Sequence, residues 1–305
     1  VVGAEALQNL SSGKSNIALG YRAAQNITTS SNNVVIGHEA AQAITTSGDN
    51  TVIGYRAMQS SSGIYDTKNI AIGSEALKKT QSGENVAIGY QSLTNFTKGS
   101  STLGGNTAVG SNTGKSLITG HNNSIFGIGS QSSNTIGNHN SSFGANSLRN
   151  LTNGHKNCAF GSNSASKITT GWENTAMGYY SLYNNTTGSY NVAIGVQSLV
   201  SSTTSSFNVG VGGSALFRTT TGERNTAIGQ GAGNQNTTGY YNTFIGDEAG
   251  GFNNTNGMVT GHNNTYIGYR ALPTSTSASN EIVLGDNNVK ELYTAADMNA
   301  PAFTT

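Results

Sequence analysis

Residues 174–191 read Asn-Thr-Ala-Met-Gly-Tyr-Tyr-Ser-Leu-Tyr-Asn-Asn-Thr-Thr-Gly-Ser-Tyr-Asn, and variants of this unit recur along the chain. Its fifth residue is a glycine found at seventeen positions, and twelve of the sixteen intervals between them are 17 residues long. The other intervals are 19, 16, 21 and 22 residues. A fixed short period of this kind is the signature of a stacked repeat protein. The glycines are Gly3, Gly20, Gly37, Gly54, Gly73, Gly89, Gly110, Gly127, Gly144, Gly161, Gly178, Gly195, Gly212, Gly229, Gly246, Gly268 and Gly285.

Two further positions keep the same period. The residue before the glycine is apolar in all seventeen units, for example Ile36, Ile53, Ile88, Met177, Ile194 and Ile228. Asparagine stands four residues before the glycine in fifteen consecutive units, and Glu281 replaces it in the last. These asparagines include Asn16, Asn33, Asn50, Asn85, Asn174, Asn191 and Asn225.

The unit itself predicts β-structure. Thr175 and Met177 alternate with the small residues Ala176 and Gly178, which is the period-two pattern of a strand. A second short strand is expected at Ser181-Leu182, with Thr-Thr-Gly forming the turn. At about 3.3 Å per residue, 17 residues span only about 56 Å, enough for two short strands and two turns. The sequence therefore predicts an all-β, 17-residue-repeat parallel β-roll or β-solenoid over residues 1–286, followed by an extension over 287–305.

Stacking such units at about 4.8 Å would build a rod about 80 Å long, with equivalent residues directly above one another. The apolar position would form a continuous buried stripe, and the asparagines would form a side-chain amide ladder. The glycine would allow a close approach that a Cβ atom blocks. Two residues after it, Glu5, Arg22, Glu39, Arg56 and Glu75 alternate in sign, so neighbouring units would pair opposite charges.

One chain offers few large apolar residues per unit, so we expect identical copies to complete the core along the apolar stripe. Small residues beside the stripe would let the backbones approach, and the larger Ile125, Phe244 and Tyr266 would mark local widening. The small residues are Ala18, Ala71, Ala87, Ala159, Ala176, Ala193 and Ala227.

These units carry a resemblance. Asn85-Val-Ala-Ile-Gly-Tyr-Gln-Ser-Leu93 and Asn225-Thr-Ala-Ile-Gly229 resemble the β-roll repeats in the heads of trimeric autotransporter adhesins, and still more the longer repeats of bacteriophage tail fibres and tail spikes. The resemblance implies a homotrimeric fibre shaft on a virion or a cell surface. A phage tail fibre is the first expectation and a bacterial surface adhesin head the second. Implied partners are further copies of the chain, a host glycan or protein receptor, and other virion fibre or baseplate proteins.

The C-terminal segment from Val289 to Phe303 is similar to the segment that precedes the self-cleaving intramolecular chaperone of endosialidase-type tail spikes. The resemblance implies that residues 287–305 lead toward a chaperone or tip that this chain does not include. The N-terminus lacks the basic-then-apolar pattern of a signal peptide, so we expect export by another route or a missing N-terminal part.

Composition argues against several other functions. The 15 basic and 14 acidic residues give a net charge of +1, which provides no electrostatic footprint for nucleic acid or an anionic membrane. Cys158 is alone, and the five histidines lack metal-ligand spacing, so no disulfide, metal or cofactor is expected. Glu173 and Glu223 would lie three units apart, about 14 Å, too far for a pair of glycosidase carboxylates. We expect no catalytic residue and no enzyme activity.

Two surface features suggest binding. The longer intervals place extra residues in one turn, and we expect these loops to contact a receptor, although plain surface loops explain them as well. The candidate residues are Tyr65, Asp66, Phe96, Lys98, Phe252, Asn253 and Met258.

A threonine column that includes Thr170, Thr187, Thr204, Thr221 and Thr238 resembles the surface of ice-binding β-solenoids. Interruptions such as Gln81, Ile136 and Asn153 favour turn chemistry instead, and measuring thermal hysteresis separates the two interpretations.

Overall fold

The computed structural model describes residues 1–61, 66–97, 104–251 and 257–289. Each repeat contributes one three-residue strand, and sixteen strands form a single parallel sheet in chain order. A bridge between Val2 and Leu19 begins the stack. The strands are β1 Ile17–Leu19, β2 Val34–Ile36, β3 Thr51–Ile53, β4 Ile70–Ile72, β5 Val86–Ile88, β6 Thr107–Val109, β7 Ser124–Phe126, β8 Ser141–Phe143, β9 Cys158–Phe160, β10 Thr175–Met177, β11 Val192–Ile194, β12 Val209–Val211, β13 Thr226–Ile228, β14 Thr243–Ile245, β15 Thr265–Ile267 and β16 Ile282–Leu284.

Equivalent residues are aligned from one turn to the next. Ala176 pairs with Ala193, and the same register holds across the units with insertions, where Val52 pairs with Ala71 and Phe244 with Tyr266. Insertions therefore leave the sheet undisturbed. This arrangement confirms the all-β solenoid with about 17 residues per turn.

The predicted second strand is wrong. Ser181 and Leu182 lie in a turn, and Tyr180, Leu182 and Tyr190 all have left-handed backbones, with φ of 56°, 50° and 60°. Such residues bend the chain back on itself instead of extending it. Neighbouring turns still bond here, because the Leu182 backbone N donates to the Ser198 carbonyl at 2.9 Å. The rest of each turn is thus a tightly curved, hydrogen-bonded path.

The interior of the coil holds the small middle residue of each strand. Ala176 and Ala193 are completely buried, and so are Leu182 and Leu199 of the curved segment. Large and small side chains thus fill a narrow core inside one chain, in two clusters that run from Leu7 to Ile125 and from Leu148 to Ala271. Other copies were expected to complete the core along the apolar stripe, but the single chain already has a buried interior of its own. The small alanines that were expected to let backbones of separate chains approach lie inside this interior.

Larger residues in the middle of a strand are accommodated where a glycine faces them. A Cβ atom added to Gly250 would lie 2.3 Å from Phe244 Cδ1, and one added to Gly114 would lie 2.9 Å from Ile125 Cδ1. The glycine therefore provides the space that the larger side chain occupies. Tyr266 is also buried, and its hydroxyl donates to Glu281 Oε2 at 3.1 Å. Burial and this bond raise the pKa of Tyr266.

Candidate functional site

The repeat glycines set how closely the turns stack. Gly195 has φ of 127°, and a Cβ atom there would lie 2.4 Å from the Gly212 carbonyl oxygen. Residues other than glycine rarely adopt this backbone conformation. The same contact recurs at Gly20, Gly37, Gly54, Gly178 and Gly229. Each strand therefore sits directly over the next, with its side chains in straight columns.

The predicted asparagines form a hydrogen-bonded ladder inside the coil. The backbone N and Nδ2 of Asn191 donate to Asn174 Oδ1 at 3.0 and 3.1 Å, and Nδ2 also donates to the Ser205 carbonyl at 2.8 Å. Both asparagines are buried. Each amide thus fixes the start of one strand against the turns on either side. Asn16, Asn33, Asn50, Asn85 and Asn225 belong to the same ladder.

The apolar column faces outward from the coil, so the stripe that was expected to be buried is partly exposed on the single chain. Met177, Ile194 and Ile228 are 40%, 36% and 44% exposed. Ile36, Ile53 and Ile88 occupy equivalent positions and are partly exposed. A strand alternates its faces, so placing Ala176 inside forces Met177 outside. We call the first and third residues of β1 to β16 the assembly face.

No Asp, Glu, Lys or Arg occurs on the assembly face in any of the sixteen strands. Its middle carries three stacked phenylalanines, with ring centroids 4.7 Å apart for Phe126 and Phe143 and 4.5 Å for Phe143 and Phe160. Sixteen strands about 4.8 Å apart and about 10 Å wide present about 750 Å². An uncharged, mainly apolar patch of this size is typical of interaction surfaces.

The alternating charges pair between neighbouring turns as predicted. Arg22 Nε lies 2.7 Å from Glu5 Oε2, and Arg56 Nε lies 2.8 Å from Glu39 Oε2. In the next pair of turns, Gln91 donates to Glu75 at 2.7 Å. Hydrogen bonds from Lys78 and Gln91 hold the pKa of Glu75 below its ordinary value. Because these groups are exposed to solvent, each pair is strongly screened and adds little to stability.

Three of the predicted receptor-contact residues lie in the interior of the coil. Asp66, Phe96 and Met258 are fully buried, so their side chains belong to the interior. Phe96 stands seven residues after its glycine, as the buried Ile27 does, which explains its position. Tyr65, Lys98, Phe252 and Asn253 lie outside the described residues, as do 290–305 of the C-terminal extension.

The paired threonines have a structural use. Thr169 Oγ1 donates to the Thr186 carbonyl, and Thr186 Oγ1 donates to the Thr203 carbonyl, both at 3.0 Å. This inner column ties successive turns together. The outer column, which includes Thr170 and Thr187, is exposed.

An exposed aromatic row is the feature that sequence reasoning missed. It consists of Trp172, Tyr190, Phe207, Tyr240 and Tyr241 together with Arg224, and we call it the aromatic ledge. Its signal was present in the sequence, because Tyr190, Phe207 and Tyr241 each directly precede a ladder asparagine.

Within the described ranges, no group of three or more His, Cys, Asp or Glu side chains is placed to hold a metal ion. The same part of the chain has no helix suited to crossing a bilayer. No protein-family model, curated protein or solved structure matches this chain.

Proposed function

We propose that this chain is the shaft of a homotrimeric extracellular fibre that serves attachment to a host surface, with a phage tail fibre as the specific assignment. The observation that carries the proposal is the uncharged, outward assembly face. Its residues are not needed to close the core, since each coil already has its own interior. Their regular apolar character is explained if other copies cover them.

The dimensions of the assembly face suit such contact. Its area of about 750 Å² is close to the ~800 Å² that each partner contributes to a stable protein interface. Identical columns also match one another along their length when copies align in parallel, because every chain has the same spacing. Closed cyclic assemblies are the usual outcome for such self-complementary surfaces. The likeness of the repeat to adhesin heads and phage fibres favours three copies.

The assembly proposal predicts the mass of the protein in solution, and it predicts that a double variant has a lower mass. We expect sedimentation equilibrium of the intact chain to give three times the chain mass of 31.3 kDa. The double variant Ile194→Glu/Ile228→Glu should sediment as a monomer, because two buried, unpaired carboxylates per chain oppose association. Both side chains are already more than one-third exposed in the single chain, so its fold should tolerate them.

A matched control carries the same charges at exposed positions outside the strands. Thr204→Glu/Thr221→Glu changes two exposed residues away from the assembly face and should remain trimeric. A monomeric wild-type chain would contradict the proposal, and so would a trimeric Ile194→Glu/Ile228→Glu variant. The wild-type mass should also persist in high salt, because the assembly face has no charges to screen.

A further inference from the structure

The aromatic ledge is a continuous exposed surface. Ring centroids lie 4.8 Å apart for Trp172 and Tyr190 and 4.9 Å apart for Tyr190 and Phe207. The Arg224 guanidinium continues the row, 4.6 Å from the Phe207 ring and 5.8 Å from the Tyr241 ring. The ledge therefore extends over several turns parallel to the stack.

The fold does not require aromatic residues at these positions. Equivalent positions directly before the ladder asparagine hold Asn32, Asp49, Lys68 and Glu84 in earlier turns. Those turns form the same strands in the same register. Trp172, Phe207 and Tyr241 are 44%, 43% and 56% exposed, so they contribute little to the core. Their presence is explained better by binding than by stability.

A shallow cleft of about 210 Å³ lies at one end of the ledge. Tyr240 and Tyr241 form its aromatic wall, with ring centroids 5.6 Å apart. Glu223 and Arg224 add one negative and one positive group, and the described residues provide neither with an ion pair. Thr221 and Thr238 complete the lining. The cleft thus combines an apolar wall with hydrogen-bonding groups of both kinds.

We propose that the aromatic ledge is a binding site for a neutral glycan chain, with one sugar ring in the cleft against Tyr240 and Tyr241. A pyranose has an apolar face of C–H groups and a rim of hydroxyls. The apolar face fits an aromatic wall, and the hydroxyl rim needs both hydrogen-bond donors and acceptors. Glu223 accepts hydrogen bonds from hydroxyls, and Arg224 donates to their oxygens.

Charged polymers fit this surface less well than a neutral glycan does. Nucleic-acid binding relies on many Lys and Arg contacts to phosphate, whereas the lining of the cleft adds the Glu223 carboxylate to the single cation Arg224. The chain as a whole carries a net charge of only +1. A neutral sugar is repelled by neither the carboxylate nor the guanidinium. Glycan binding needs the residues of one chain only, while its meaning as host attachment rests on the proposed function.

The test uses the intact chain and four named probes: cellohexaose, maltohexaose, mannohexaose and galactohexaose. Binding is measured by isothermal titration calorimetry, with fluorescence of Trp172, the single tryptophan, as a second readout. At least one probe should bind with a Kd below about 1 mM. Tyr241→Ala and Glu223→Gln should each weaken that binding about tenfold, because one loses the stacking wall and the other a charged acceptor. Tyr90→Ala is the matched control: Tyr90 is 51% exposed, follows the distant strand β5, and should leave the affinity unchanged.

Three results would overturn the inference. The first is that none of the probes binds at about 10 mM. The second is that both ledge variants bind with wild-type affinity. The third is that a thymidine oligonucleotide binds more tightly than every sugar. Sedimentation of the same samples separates the two proposals. A trimer without sugar binding refutes the glycan site alone, and a monomer that binds sugar refutes the assembly alone.

Discussion

Replacing Gly195 with alanine is expected to lower the free energy of unfolding by about 3 kcal/mol or more. The new Cβ atom would lie 2.4 Å from the Gly212 carbonyl oxygen and 2.6 Å from its carbon, and both are backbone atoms that cannot rotate away. The backbone φ of 127° adds strain, because it is a conformation that glycine alone adopts readily. Relief requires two turns to separate, which disrupts the sheet and the amide ladder at once.

Guanidinium unfolding at a fixed protein concentration, followed by circular dichroism, measures the effect. Gly213→Ala is the matched control one turn away. A Cβ atom there meets nothing closer than Gln230 Oε1 at 3.9 Å, so the variant should unfold within about 0.5 kcal/mol of wild type. Equal stability of the two variants would show that the turns do not stack through the repeat glycine.

Replacing the ladder residue Asn191 with alanine is expected to cost about 3 kcal/mol. Its Nδ2 donates to Asn174 and to the Ser205 carbonyl, and its Oδ1 accepts the Asn208 backbone N–H at 3.1 Å. Alanine cannot replace these bonds, and the Asn208 N–H would be left buried without this acceptor. An unsatisfied buried group costs more than the net value of the bond that it lost.

The same unfolding assay tests this prediction. Asn153→Ala removes an exposed asparagine of the turn, and its stability should stay within about 0.5 kcal/mol of wild type. If Asn191→Ala matched that control, the amide ladder would contribute nothing to the stack. A second ladder variant, Asn225→Ala, should reproduce the loss, because Asn225 donates to Asn208 in the same way at 3.1 Å.

Much of the architecture follows from the period. The spacing of the repeat glycines predicts stacked units in parallel register, and Ala176 does pair with Ala193. Charge alternation at Glu5 and Arg22 predicts their contact between turns, which the 2.7 Å ion pair confirms. These features are local or identical in every unit, so a repeated pattern is enough to specify them.

The candidate site was harder to predict. Alternation in Thr175-Ala176-Met177 shows that the strand has two different faces, but it does not show which one lies inside. The larger residues suggested the interior, whereas the structure places Ala176 there and leaves Met177 40% exposed. The curved segment lies opposite the strand inside the coil. A Cβ atom added to Gly210, the middle residue of β12, would lie 2.6 Å from Ser198 Oγ and 3.5 Å from Leu199 Cδ1, so there is space only for a small residue. At Phe244 the two sizes are exchanged: the strand residue is large, and the residue that faces it is Gly250.

The repeat alone determined that the turns stack in register. The same residue types recur in seventeen units, so each side chain can make the same contact with its equivalent in the turn above and the turn below. Only the tertiary structure decided which face of the strand closes the core and which faces outward. The size of the coil depends on left-handed residues such as Tyr180 and Leu182, and on the fit of large against small side chains across the interior. Those contacts join separate parts of each turn, and no single periodic position reveals them.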